Sequence, residues 1–153
     1  MRIQDIIPPE AVVDGLLAET KEGVLRELSE AICRRLPVLS PDRLTAILMD
    51  REGLGSTGIG EGVAIPHGKM AEVEKVYGVF ARSRRGVDFK SLDGGATHLF
   101  FLLVAPEDSA ADHLKALARI SRLLKDNAFR ARLLEEKSAE DIFNVIKQED
   151  QKF

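Results

Sequence analysis

An imidazole, a guanidinium and a second imidazole stand in this chain where a fold would have to hold them at the edge of its core. His67 lies in Ala64-Ile65-Pro66-His67-Gly68-Lys69, after a run in which Gly58, Gly60 and Gly62 fall within five positions. Pro66 lacks an N–H and biases Ile65 towards extended geometry, so it ends a strand or confines it to a sheet edge. Gly68 lets the backbone turn or approach a ligand closely. The spacing predicts His67 at the tip of a strand-to-loop turn, its ring facing a cleft whose free backbone N–H groups suit phosphate. Ser56, Thr57, Gly58, Gly60 and Gly68 are the residues expected to cradle that phosphate. The loop is not a P-loop, since it lacks a Gly-Lys-Ser/Thr ending, and its glycine spacing fits no dinucleotide fingerprint.

Arg51 falls seven residues after Leu44 and so continues the apolar stripe of Leu44, Ile47 and Leu48 into the last turn of a helix. Ser40-Pro41 supplies the N-cap and first helical residue of that helix. A guanidinium in that place can snorkel past the core edge or cap the carbonyls of its own helix. Alternatively, it reaches an anion in the cleft that follows through Gly53-Leu54-Gly55, and the stripe alone leaves these readings open. His113 heads a further stripe of His113, Leu117, Ile120 and Leu124, in the first turn of a helix that Ser109-Ala110-Ala111-Asp112 opens as a capping box.

The positive end of that helix favours an anion and disfavours a protonated His113. A neutral imidazole is a good nucleophile near neutral pH, and the phosphoramidate it forms keeps a high transfer potential. An arginine fork and a second imidazole can stabilise the phosphoryl oxygens during transfer. The remaining histidine, His98, opens a continuously apolar strand. A zinc site from His67, His98 and His113 is therefore set aside, with no Cys, Asp or Glu at ligand spacing beside His67. No metal and no cofactor are expected.

The elements that must position these groups alternate along the chain without a linker. Val24, Leu25, Leu28, Ile32 and Leu36 form an amphipathic helix that stops before Pro37. Strand-like runs follow at Val63 to Ile65, Val76 to Ala81 and His98 to Val104, the last apolar throughout, as in a strand covered on both faces. Arg82, Arg84 and Arg85 are expected at a solvated hairpin end. Two short helices close the chain, around Phe129 to Leu134 and, after a Ser138 cap, around Ile142, Val145 and Ile146. Gln148 to Phe153 is expected to fray. Length fits one domain over residues 1–153, with its core at about 3–147.

Composition narrows the function classes. The net charge of −3 and a pI near 5.7 exclude a general nucleic-acid binder. One cysteine, Cys33, leaves no intrachain disulfide and no cysteine-rich metal site, and it reads as a packing residue. No apolar run is long enough to insert into a membrane, and Met1-Arg2-Ile3-Gln4-Asp5 has no signal-peptide character, so a cytoplasmic protein is expected.

The run Arg51-Glu52-Gly53-Leu54-Gly55-Ser56-Thr57-Gly58-Ile59-Gly60, followed by Val63-Ala64-Ile65-Pro66-His67-Gly68, closely resembles the signature of the fructose/mannitol-type enzyme IIA domains of the bacterial phosphotransferase system. The resemblance continues through Val87-Asp88-Phe89, Asp93-Gly94, Ala105-Pro106 and His113-Leu114-Lys115-Ala116-Leu117-Ala118, so it covers nearly the whole chain. It implies an α/β fold in which a mixed β-sheet is flanked by helices on both faces, with the histidine at the sheet's edge. It also implies that His67 takes a phosphoryl group while Arg51 and His113 are its active-site companions. The partners implied are an HPr-type phosphohistidine carrier as donor and, as acceptor or reader, an EIIB domain or a regulatory target protein. The stretch Ile6-Ile7-Pro8-Pro9-Glu10 and Lys21-Glu22 is more like the nitrogen-related regulatory branch than the sugar-transport branch.

Overall fold

The computed structural model of this protein describes residues 1–152. Six strands, β1 (Val12–Val13), β2 (Gly58–Gly60), β3 (Val63–Ala64), β4 (His67–Lys69), β5 (Tyr77–Val87) and β6 (Thr97–Ala105), form one sheet. Six helices pack on it: α1 (Ile3–Ile6), α2 (Lys21–Arg35), α3 (Pro41–Glu52), α4 (Ala110–Leu123), α5 (Asn127–Glu135) and α6 (Ala139–Asp150). The strand order is β1-β5-β6-β3-β2, with β4 also paired to β6. The sheet is mixed: β5 and β6 are antiparallel, β3 and β4 run parallel to β6, β1 runs parallel to β5, and β2 is antiparallel to β3.

β6 is the apolar centre, every residue of it buried except His98. Successive side chains of a strand point to opposite faces, and β6 shows both sides packed. Phe101 meets Phe80 edge-on at 4.9 Å, while Phe100 meets Phe89 at 5.4 Å. On the Phe80 side, α1 comes so close that a Cβ added at Gly78 would lie 2.8 Å from Ile6 and 2.9 Å from Ile7. On the other side, Arg35 of α2 lies over the ring of Tyr77, and Lys21 of α2 over that of Phe89. Helices therefore cover both faces, as the resemblance implies.

Four local expectations need correcting. Arg82 is not at a solvated hairpin end: it is fully buried, because β5 runs on past Ala81 and carries the guanidinium under α5. There it donates to the carbonyls of Asp14 (3.0 Å), Leu133 (2.9 Å) and Glu136 (2.5 Å), the last two at the C-terminal end of α5, where the helix dipole favours a cation. Arg84 and Arg85 do face solvent. Ser109 precedes α4 but its side chain makes no cap; only its carbonyl takes part, accepting from His113 N at 3.1 Å. Finally, residues 148–150 do not fray. They end α6, and buried Asp150 accepts from Ile3 N at 2.8 Å and from Arg119 Nε at 2.5 Å, tying the last helix to the first.

The fourth correction bears on the site. β3 and β4 keep one register along β6, Ala64 opposite Phe100 and His67 opposite Leu103, so they are one line of chain interrupted at Ile65-Pro66. Pro66 interrupts this edge but does not end it, since its carbonyl still accepts from Leu103 N at 3.0 Å. His67 thus opens a strand, half-buried, instead of capping an exposed turn.

Candidate active site

Strand alternation explains how residues from two helical layers meet. Gly68 faces α3, where a Cβ would lie 3.0 Å from Ile47 Cγ2 and 3.5 Å from Leu48 Cδ2. His67, its neighbour, must face the opposite layer, and its ring stands 5.2 Å from that of His113 in the first turn of α4, edge to face at 87°. Beyond β4, among the described residues, no strand separates the layers at this end of the sheet. Arg51, in the last turn of α3, reaches round that open edge and places Nε 3.3 Å from His67 Nε2. The three residues singled out by type and spacing are thereby brought into one site, and His98 is not. His98 lies opposite Ser83, whose carbonyl is 2.9 Å from its Nδ1. It is also five residues before Leu103 on β6, about 17 Å along the strand from the level of His67.

The neighbours of His67 set its proton. Nδ1 is 2.9 Å from the carbonyl of Ile65, which can only accept, so Nδ1 carries the hydrogen. Arg51 Nε donates to Nε2, so Nε2 holds the lone pair. Partial burial lowers the pKa of His67, helped by the Arg51 charge and opposed by the Ile65 hydrogen bond and the Glu52 charge. His113 is 6% exposed, and burial, with the nearby His67 and Lys69, takes its pKa down to about 4. Both imidazoles are neutral at pH 7. The Nε2 of His113 is buried with no hydrogen-bond partner, a state that costs about 1–3 kcal/mol unless something arrives to satisfy it.

A cavity of about 710 Å³ opens in front of these groups, lined by Arg51, His67, Gly68 and His113 together with Ile47, Asp50, Leu54, Lys69, Ala110, Leu114 and Leu117. The apolar rim was not foreseen. Leu54 and Leu114 are 86% and 66% exposed beside charged groups, and the available signal was that Leu114 falls off the apolar stripe of its own helix.

Several polar groups of the glycine-rich loop expected to cradle phosphate have partners within the protein. Ser56 Oγ donates to Phe89 O and accepts from Gly58 N; Thr57 N and Oγ1 both donate to the Glu52 carboxylate; Gly60, at φ +96°, turns the chain towards Asp93. Of the five residues only Gly68 lines the cavity. Glu52 is the polar residue the sequence analysis passed over, a buried carboxylate also paired with Lys21 Nζ at 2.7 Å.

Comparison with known proteins bears on this geometry. The family model described as "Phosphoenolpyruvate-dependent sugar phosphotransferase system, EIIA 2" matches residues 5–149. The chain is 44% identical over 146 residues to a nitrogen regulatory protein of Bradyrhizobium diazoefficiens, covering 95% of each. Among solved structures it is similar to nitrogen regulatory protein IIA-Ntr of Neisseria meningitidis, with a TM-score of 0.88 and 33% identity, covering 94% of this chain and 98% of that one. It is also similar to the mannitol enzyme IIA of Escherichia coli, solved in complex with phosphorylated mannitol enzyme IIB, with a TM-score of 0.74 and 25% identity, over 90% of this chain and 94% of that one.

Proposed function

We propose, from the premise that this chain belongs to the EIIA 2 family of the phosphoenolpyruvate-dependent sugar phosphotransferase system, that it carries a phosphoryl group on Nε2 of His67 and serves a nitrogen-regulatory role. The observation that carries the reading is the state of the His67 ring: neutral, with its proton held on Nδ1 by Ile65 O and its lone pair held outward on Nε2 beside a guanidinium.

Nε2 attacks the phosphorus of a donor phosphohistidine. The P–N bond to the donor breaks as the P–Nε2 bond forms, and the donor imidazole leaves with the electron pair. The His67 ring gains positive character, which strengthens its Nδ1–H bond to Ile65 O. Arg51 Nε loses its acceptor when Nε2 becomes bonded and passes to a phosphoryl oxygen. With its hydrogen on Nε2, His113 supplies a second donor from the nitrogen that is otherwise buried and unpartnered. Charge spread over the phosphoryl oxygens is thus met by groups already in place. Because donor and acceptor are both imidazoles, the transfer is close to balanced and reversible.

The donor is an HPr-type phosphohistidine protein, and the acceptor or reader an EIIB-type domain or a regulatory target in the cytoplasm. An EIIB acceptor is supported by the mannitol IIA–IIB complex; the regulatory branch is supported by the greater identity to a nitrogen regulatory protein. Among the described residues no helix is long and apolar enough to cross a membrane. Incubation with a phosphorylated HPr-type protein should add one acid-labile phosphate per chain, and His67→Ala should abolish it while leaving the circular dichroism spectrum unchanged. An intact-mass spectrum in which His67→Ala still gains phosphate contradicts the reading.

A further inference from the structure

Glu52 is next to Arg51 yet lines no part of the cavity. Its carboxylate is buried and takes three donors: Lys21 Nζ from the start of α2 at 2.7 Å, Thr57 N at 3.0 Å, and Thr57 Oγ1. From this hub two chains of hydrogen bonds lead to the two members of the site. In one, Thr57 O accepts from Ile65 N at 3.0 Å, and Ile65 O accepts from His67 Nδ1 at 2.9 Å. In the other, Glu52 and Thr57 close the loop between them, and Gly55 within that loop accepts from Arg51 Nη1 at 2.9 Å. Gly55 N in turn donates to Glu52 O at 3.0 Å. The loop over residues 53–57 is therefore held by one residue, through the Glu52 carboxylate at Thr57 and the Glu52 main-chain carbonyl at Gly55, and both the guanidinium and the imidazole hang from it.

We propose that Glu52, neutralised by Lys21, is a positioning residue that holds Arg51 Nε against His67 Nε2 and fixes the Nδ1–H tautomer of His67 through Thr57 and Ile65. This rests on the reading of His67 as the phosphoryl acceptor. The glycine-rich loop then has a role other than cradling phosphate: it transmits the position of a buried ion pair to the reacting nitrogen. A group that acts this way alters the reaction step and leaves donor binding alone, because it does not reach the cavity surface. The charged and titratable groups facing His67 are Arg51 and Glu52 from α3 and His113 from α4, with Lys69 beside His113. Of these only Glu52 opposes the loss of basicity.

Removing Glu52 alone would leave Lys21, only 17% exposed at its side chain, without its partner and could unfold the chain. The test therefore uses the neutral double variant Lys21→Met/Glu52→Gln, in which an amide NH2 takes the place of one of the two oxygens that accept from Thr57, alongside the parent protein. In the unphosphorylated proteins, nitrogen-15 NMR of the His67 ring should change from a single Nδ1–H tautomer to a mixture, and the ring should titrate at a lower pH. In single-turnover transfer from a phosphorylated HPr-type donor, the limiting rate should fall about ten- to a hundredfold, while the donor concentration giving half the limiting rate stays the same. A folded double variant with the parental ring tautomer and titration overturns the proposal, as does an unchanged limiting rate or a loss confined to donor affinity. The NMR arm involves no phosphorylation, so it decides the positioning role even if His67 fails as the acceptor.

Discussion

At the scale of residues, the proposed site is a neutral imidazole with Arg51 Nε against its Nε2 and the His113 ring 5.2 Å away. In the proposed transfer Arg51 and His113 aim donors at the phosphoryl oxygens, and removing one donor from a preorganised site typically costs about 10² to 10³ in rate. Arg51→Ala and His113→Ala should each slow phosphorylation of His67 by that order without abolishing it. Arg51→Lys should recover only part of the loss, because an ammonium keeps the charge but not the planar fork. Time courses of transfer with each folded variant check this. Acid has a signed effect as well. Burial and the Arg51 charge hold the pKa of His67 below the ordinary histidine value, so its lone pair survives further acidification than that of a free imidazole, and the acid limb of the transfer rate should lie at lower pH than for an exposed histidine. His113 adds a stability effect. Its pKa is about 4 when folded against 6.5 for an ordinary histidine, so between those values the unfolded chain binds more protons and stability rises with pH. The stabilisation, on the order of 3 kcal/mol, should be present above pH 6.5 and lost as pH falls towards 4. Urea titrations at about pH 4.5 and 7.5 should show His113→Gln with a smaller difference between the two than the parent.

At the scale of elements, the position of each group was legible where the controlling signal was local and obscure where it came from a distant segment. Helical spacing from Leu44 placed Arg51 on the core-facing side of α3, and the spacing of His113, Leu117 and Ile120 placed His113 at the head of α4. Both placements hold. Arg82 was misplaced because its partners are carbonyls 51 and 54 positions away, at the end of α5, and a polar Arg-Ser-Arg-Arg run in sequence looks like a turn. The end of α6 was misjudged for the same reason, since the group that satisfies Asp150 is the backbone of Ile3, 147 positions earlier. Two stability predictions follow these contacts. Arg82→Met keeps the volume but orphans the buried carbonyls it serves, and should destabilise by about 2–4 kcal/mol in urea unfolding. Ser109→Ala should cost almost nothing, because its hydroxyl caps no N–H, whereas Asp126→Ala removes an acceptor for Ala128 N and Phe129 N and should cost about 1 kcal/mol.

At the scale of the whole molecule, the site exists because the sheet ends there. Strands separate the helices of the two faces along the sheet, and beside β4 that separation stops, so an arginine from one layer and a histidine from the other converge there. A sequence shows the glycine, proline and histidine types that mark such an edge, and the family resemblance supplied the mixed sheet. Neither indicates which loop groups already have partners, which is why the Glu52 carboxylate and its bonds to Thr57 were not legible. The exposed Leu54 and Leu114, which line the same cavity as His67, belong to this scale too, since they come from just past the end of α3 and from α4.

The central claim is that the phosphoryl group rides on one particular nitrogen. Phosphorus-31 and nitrogen-15 NMR of the chain phosphorylated by an HPr-type donor tests it most directly, by reading phosphorus–nitrogen coupling in the His67 ring. The account predicts a single phosphoryl group coupled to Nε2, with the proton retained on Nδ1. Phosphorus on Nδ1 of His67, or on His113 or His98, would contradict it.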